Sequence, residues 1–189
     1  VVSCAGSFLS ARAMEQVKID AAYSYRHMVL AAQSPGLAYG QLGSTHHSAE
    51  DVAWMRVIPG MTVIVPADPV QTAAAVRWAI AEHDGPTYIR ISRMKVPAVH
   101  APDYSFTPGK ATVLRQGQDL TIVSNGTALH RALAAAAALE GQGVSVRVLS
   151  MASVKPLDEQ AVMDAARQTG RIVVAEEGMA AGGLGGAVA

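Results

Sequence analysis

Met61-Thr62-Val63-Ile64-Val65-Pro66-Ala67-Asp68-Pro69 decides how this chain folds. Its first five residues are apolar but for one threonine. They lack the alternation of a half-solvated strand, and such a run belongs to a strand buried on both faces, as in a parallel sheet covered by helices. Asp68-Pro69 then opens a helix. The carboxylate caps free N–H groups of the first turn, and proline fits the first helical position, where no N–H is needed. Strand, short turn and capped helix form the repeating unit of an α/β protein.

Outward from this unit the same grammar recurs. Toward the N-terminus, Ser48 to Val57 reads as a short helix with Val52, Met55 and Trp54 inward. Ser48 is expected to cap it, with Asp51 returning the bond. His27 to Ala32 reads as a strand, and Ala11 to Ala22 as a helix with Ala13, Val17 and Ala21 on one stripe. Val1 to Ala5 reads as the last part of a buried strand. Toward the C-terminus, the helix opened by Asp68 runs to about His83, and Thr87 to Ser92 forms the next strand. Val96 to Gly109 is proline-rich without periodicity, which marks a linker. Beyond it come a strand at Leu120 to Val123, a helix at Ala128 to Leu139 stopped by Gly141 and Gly143, and a strand at Val144 to Leu149. A helix at Asp158 to Arg167, capped by Asp158, and a strand at Ile172 to Ala175 follow. The expected fold class is α/β, with two doubly wound domains, mainly parallel sheets and crossover helices.

Composition narrows the function classes. Half of the 189 residues are hydrophobic, enough for one large or two modest domains, each with its own core. Fifteen basic residues balance fifteen acidic ones and no basic stripe interleaves with aromatics, so nucleic acid is not expected as a partner. No apolar run reaches the roughly 18 residues of a membrane span, so no membrane partner is expected either. A single cysteine, Cys4, rules out an intrachain disulfide or a cysteine-based zinc site. It fits a cytoplasmic setting. The chain starts within a strand without methionine and ends in the first turn of a helix after Gly182-Gly183-Leu184-Gly185-Gly186, so it reads as a fragment interrupted at both ends.

Ligands of open α/β sheets gather at the carboxyl ends of the strands. The stretch Gln41 to Asp51 falls there and carries His46 and His47 on a glycine-flexed loop. Imidazoles at that edge suit proton transfer or hydrogen bonds to a hydroxylated substrate. Two loop residues with backbone partners is the plainer reading. Tandem imidazoles on a loop do not readily share one ion, and no Asp, Glu or His stands at ligand spacing, so no metal site is assigned. Arg90-Ile91-Ser92-Arg93-Met94-Lys95 sets three cations beside a serine at a strand end, where the planar fork of Arg93 suits a phosphate. A solvated strand end is the alternative. Phe8, at the turn from first strand to first helix, either stacks on a flat heteroaromatic ring or packs in the core. Glu176-Glu177 and the glycine run after it lack GxGxxG spacing and read as a tight turn, not a nucleotide cradle. Phe8, the histidines and Arg93 are expected around a single cavity on one sheet rim.

Six segments in colinear order give the chain a family resemblance: Phe8 to Gln16, Gly43-Ser44-Thr45-His46, Ile58 to Asp68, Gly85 to Arg93, Val154-Lys155-Pro156-Leu157-Asp158, and Ala175-Glu176-Glu177-Gly178 with Gly182-Gly183-Leu184-Gly185. Together the chain resembles the C-terminal portion of the transketolase family. The resemblance implies a pyrimidine-binding domain over 1–100 with its N-terminal part missing, a linker over 101–109 and an incomplete transketolase C-terminal domain over 110–189. It implies thiamine diphosphate as cofactor, with Mg²⁺ held by a diphosphate-binding domain or by a separate chain that supplies it. Phe8 looks like the aromatic that packs on the aminopyrimidine. His46 looks like the histidine that bonds substrate hydroxyl and carbonyl groups, with His47 a weaker candidate, and Arg93 looks like the arginine that binds a sugar's terminal phosphate.

The implied function is ketol transfer between sugar phosphates by a cytoplasmic homodimer. The glutamate that protonates the pyrimidine would lie upstream of Val1, so this segment alone is expected to be inactive. Departures from the family pattern fall at Leu42, where an acid usually reads a sugar hydroxyl, at Ser34, where a substrate-binding histidine is usual, and at Gly178. Two alternatives share the layout: the β subunit of a 2-oxoacid dehydrogenase or a deoxyxylulose-phosphate synthase, and a non-catalytic assembly protein.

Overall fold

Nine strands form two sheets in the computed structural model, which describes every residue from Val1 to Ala189. The first sheet contains β1 (Val2–Ala5), β2 (Val29–Gln33), β3 (Thr62–Ile64), β4 (Thr87–Ile91) and β8 (Ser153–Lys155), in the order β1-β2-β4-β3-β8. The first four are mutually parallel and β8 runs antiparallel to β3. The second holds β5 (Thr112–Arg115), β6 (Leu120–Ser124), β7 (Val146–Ser150) and β9 (Ile172–Ala175), in the order β5-β7-β6-β9. There β6 pairs parallel with both neighbours and β5 antiparallel with β7.

Residues facing opposite sides of each strand enter different cores, as the two-residue period of a strand requires. Val63, Val65, Leu30 and Tyr88 lie in one cluster, whereas Ile64, Val29 and Ile89 lie in another under α3 (Pro69–Ala81). Val123 and Leu149 belong to the first cluster, and Ile122 and Val148 to a third, with Leu129, Ala132 and Ala136 of α4 (Leu129–Glu140). Both sheets are therefore covered on both faces.

The two sheets share a core. The largest cluster, of 18 buried residues, joins Leu9, Met55 and Tyr88 to Leu149, Met151 and Leu184, and so crosses both sheets. The sequence signals neither β5 nor β8, and β8 carries the second half of the chain into the first sheet.

Four local expectations need correction. The first helical stretch, α1 over 8–23, is wound widely, with Phe8–Arg12 and Val17–Tyr23 in five-residue turns around Met14–Gln16. Helix α2 (Asp51–Val57) has no side-chain cap. Asp51 is instead buried against Tyr88 and Arg90, and Ser48 Oγ bonds nothing. Trp54 faces outward while Val52 and Met55 are buried. Strand β1 sits at the sheet edge with Val2 to Cys4 exposed, not buried. By contrast Asp68 accepts from Gln71 N–H at 2.8 Å, and Asp158 from Ala161 N–H at 3.1 Å at the start of α5 (Glu159–Thr169), as expected of caps.

Candidate active site

Strands β2 and β4 lie side by side and parallel, so the loops leaving them share one rim. The β2 loop leaves at Ser34, whose φ of 51° turns the chain and whose N–H bonds Ile91 C=O at 2.8 Å. It ends at Ser48, which pairs with Gly36 through two backbone bonds of 2.9 and 3.2 Å. Between them, Gly40–Thr45 winds tightly, and Gly43 at φ 71°, ψ −163° breaks the winding. Few side chains tolerate that backbone, which explains glycine before the histidines. Gly43 C=O accepts from both His46 and His47 N–H at 3.0 and 3.1 Å.

The two imidazoles separate. His46 Nδ1 bonds the Thr45 hydroxyl at 2.9 Å, and its ring stands edge-on to Phe8 at 5.2 Å and to Tyr39 at 5.5 Å between centroids. Its Nε2 makes no bond within the chain. His47 turns the other way, and its Nε2 lies 2.9 Å from Gly40 C=O. A carbonyl only accepts, so Nε2 carries the proton and the ring ties the loop to itself.

Arg12 lies over the Phe8 ring at 4.4 Å and Arg93 over the Tyr39 ring at 5.7 Å. The result is a continuous run along the rim, Arg12–Phe8–His46–Tyr39–Arg93, with a cation at each end. Contacts of this kind on exposed cations contribute roughly 0.5–1 kcal/mol each. Phe8 and His46 are thus in direct contact, Arg93 reaches them only through Tyr39, and the expectation that all of them converge on a single cavity needs correction. They do not line one shared cavity. A cavity of about 490 Å³ is bounded by Ser7, Phe8, Arg12, Thr45, His47 and Trp54 among others, with neither His46 nor Arg93. Ser34 is buried at the loop exit and takes no part in the ring contacts.

Of the three cations at the end of β4, one is spoken for. Arg90 is 5% exposed, and its Nε pairs with Asp51 at 3.0 Å. Burial lifts the Asp51 pKa above the ordinary carboxylate value, opposed by the Arg90 charge and by hydrogen bonds from Tyr88 and Val52. Burial, then the Asp51 charge, pushes Tyr88 well above its usual pKa, so its hydroxyl stays protonated and donates to Asp51 at 2.5 Å. Arg93 remains exposed for a ligand.

Sequence reasoning missed Tyr39, Arg12 and Glu177 as parts of this region, and gave Asp51 a capping bond in place of Tyr88 and Arg90. Only Tyr39 carried a local signal, an aromatic within the same glycine-rich loop. No cluster of three or more His, Cys, Asp or Glu residues is arranged to hold a metal ion.

Residues 1–99 match the family model described as the transketolase pyrimidine binding domain, and residues 109–189 the one described as the transketolase C-terminal domain. An apulose-4-phosphate transketolase subunit from Phocaeicola vulgatus is 43% identical over 182 residues, which cover 96% of this chain and 58% of that protein. The 6-deoxy-6-sulfo-D-fructose transketolase subunit SqwH of Clostridium sp. is 43% identical over 183 residues, 97% of this chain and 56% of that protein. A solved chain described as a split gene transketolase, inactive beta4 tetramer, is similar with a TM-score of 0.91 at 44% identity, covering 98% of this chain and 60% of that one. The chain therefore spans somewhat over half the length of these two curated relatives.

Proposed function

The chain belongs to the transketolase family, and from that premise we propose that it is the pyrimidine-side part of a split, thiamine-diphosphate-dependent transketolase. The reaction is transfer of a two-carbon ketol unit between sugars that carry an anionic tail. The observation that carries this reading is the rim run in which His46 stands between Phe8 and Tyr39, with Arg93 at its end. A diphosphate-binding partner chain or domain would hold the diphosphate and Mg²⁺, and two copies of this part would pair. The lone, exposed Cys4 suits a cytoplasmic setting.

The residues present fit the aminopyrimidine half of the cofactor. Phe8 offers a half-buried ring at the wall of the 490 Å³ cavity. Ser7 Oγ on the same wall is buried and bonds nothing in the chain, so a ligand with a hydrogen-bonding edge would satisfy it. When bound, thiamine diphosphate supplies the carbanion chemistry that lets a ketose break between C2 and C3.

This chain's own part is binding and orientation. His46 Nε2 hydrogen-bonds and polarises the sugar's hydroxyl and carbonyl oxygens, with its tilt fixed by the Thr45 bond to Nδ1. Arg93 anchors the distal phosphate or sulfonate with its planar fork. Leu42, 47% exposed on the same loop, presents no acceptor. Preference accordingly shifts away from sugars read through the hydroxyl that an acid would bind there.

The test is a two-carbon transfer assay on the complete enzyme, with a phosphorylated or sulfonated ketose as donor and an aldehyde as acceptor. Products shortened and lengthened by two carbons are expected. Arg93→Ala should raise KM for the anionic donor about tenfold or more, and change KM for an uncharged ketose about twofold or less. Decarboxylation of pyruvate without ketol transfer would overturn the proposal in favour of a 2-oxoacid or deoxyxylulose-type enzyme.

A further inference from the structure

We propose that Glu177, from the C-terminal half of the chain, is a positioning residue for the histidine loop. Its carboxylate grips the neck of the loop that carries His46, so the second sheet sets where that imidazole stands. The catalytic consequence rests on the transketolase reading, whereas the clamp itself rests on hydrogen bonds.

The loop's neck is the Gly36–Ser48 backbone bridge. One residue above it, Leu37 N–H donates to Glu177 Oε1 at 2.7 Å, across 140 positions of sequence. The Thr127 hydroxyl donates to Glu177 Oε2 at 2.5 Å, so both carboxylate oxygens are held. The main chain of Glu177 takes part as well. Its C=O accepts from Arg90 Nη1 at 2.8 Å, while Arg90 Nη2 reaches Ser48 C=O at 3.2 Å. One buried guanidinium, fixed by Asp51, therefore spans the returning end of the loop and the root of the clamp. Gly36 has φ +66°, and a Cβ placed on it would stand 2.7 Å from Glu177 Oε1. A side chain there would strain the backbone and push the carboxylate off its partners.

Beyond the neck, the bonds near the imidazoles are internal to the loop. Gly43 C=O binds both histidine N–H groups, and His47 binds Gly40 C=O. These stiffen the tip against itself but not against the sheet. Apart from the ring contacts of His46 with Phe8 and of Tyr39 with Arg93, the ties that orient the loop relative to β2 and β4 are the hydrogen bonds at the neck. A group that must meet a substrate oxygen within hydrogen-bond reach loses effectiveness when its support tilts. The neighbouring Glu176 serves a different end: its oxygens accept from Leu184 and Gly185 N–H at 2.7 and 2.8 Å, at the start of α6 (Leu184–Val188). It provides a matched control of identical chemistry one residue away.

The experiment compares Glu177→Gln, Thr127→Val, Thr127→Ser and Glu176→Gln in the full-length chain combined with its diphosphate-binding partner. Amide hydrogen exchange and steady-state kinetics are read together. In Glu177→Gln the charge is lost, and with the amide oxygen on Leu37 N–H the Thr127 hydroxyl must reverse and accept from the amide, so weaker neutral bonds replace two charge-assisted ones. Exchange across 37–48 should rise about tenfold while β2 and β4 keep the parent rate. KM for the sugar donor should rise about fivefold to twentyfold with kcat within about threefold. Thr127→Ser, which keeps the hydroxyl, should match the parent, and Thr127→Val should fall between. Glu176→Gln should loosen α6 and leave the loop as it was. Loop exchange at the parent rate in Glu177→Gln overturns the clamp, and so does equal loosening of loop, β2 and β4. A loosened loop in a parent enzyme that transfers no ketol unit keeps the clamp and removes the transketolase reading.

Discussion

Adjacent histidines in one tight turn take different work because a one-residue step turns their rings apart. His46 keeps a ring nitrogen without a protein partner and sits in the aromatic run, whereas His47 uses its Nε2 on the loop's own backbone. Their removal should therefore be unequal. On the proposed ketol-transfer reading, His46→Ala is expected to lower kcat/KM about 10²-fold, since that reading gives His46 a hydrogen bond to the reacting part of the sugar. His47→Ala removes one loop bond and should lower kcat/KM only about twofold to fivefold, through KM. Equal losses in the two variants, measured on the same donor, would contradict the division of roles. The family resemblance already ranked His46 above His47, because the Gly43-Ser44-Thr45-His46 match ends on it; what sequence could not supply is the physical reason, the Gly40 carbonyl that takes up the His47 ring.

Among the elements, what could be read from sequence is what is closed locally. Asp68 and Asp158 cap their helices through N–H groups three residues on, and the apolar run into β3 reports its own burial. Asp51 fits the same local rule by spacing and obeys a distant one, drawn to Tyr88 and Arg90, which are 37 and 39 positions away. Strands β5 and β8 are short and antiparallel, with partners far along the chain, so no periodicity announces them. Asp68 does more than cap α3: its Oδ2 also accepts from Val99 and His100 N–H at 2.7 and 2.8 Å, pinning the linker. Burial alone would raise its pKa, but the N–H groups of Gln71, His100 and Val99, with the His100 side chain, outweigh burial and lower it. A carboxyl whose folded pKa is lowered contributes stability above its unfolded value of about 3.9, and loses it as pH falls through the folded value. Asp68→Asn should thus cost about 1–3 kcal/mol at neutral pH. The cost should shrink as pH is lowered below about 4. Urea unfolding of parent and variant across pH 7 to 3 gives the comparison, and a cost independent of pH would remove the charge from the argument.

At the scale of the whole molecule, the two sheets are interlocked rather than tethered. Besides the shared cluster, Lys155 of β8 donates to the carbonyls of Arg56 and Ile58 at 2.8 and 2.6 Å, where α2 ends, and Arg56 Nη1 donates to Gly182 and Gly183 C=O. His100 in the linker bonds both Asp68 in front of α3 and Ser150 at the end of β7. Asp68, His100 and Ser150 stand in the order of a hydrolytic triad, yet they are 2%, 6% and 1% exposed, and Gln71 Nε2 occupies the same imidazole nitrogen. They form a bolt between the halves. Such coupling predicts one cooperative transition, and the chain carries its own reporters. Both tryptophans, Trp54 and Trp78, lie before the linker, with Trp78 packed between His83 and Phe106. Leu149, fully buried in β7, belongs to the cluster that crosses the sheets. Leu149→Ala should destabilise by about 2–5 kcal/mol through the lost contacts and the cavity left behind. If the sheets unfold together, tryptophan fluorescence and far-ultraviolet circular dichroism move to a lower denaturant midpoint by the same amount. A fluorescence midpoint that stays at the parent value while circular dichroism gains a second step would mean the halves unfold separately. Glu177 could not then hold the histidine loop in place, since its own sheet would be free to leave first.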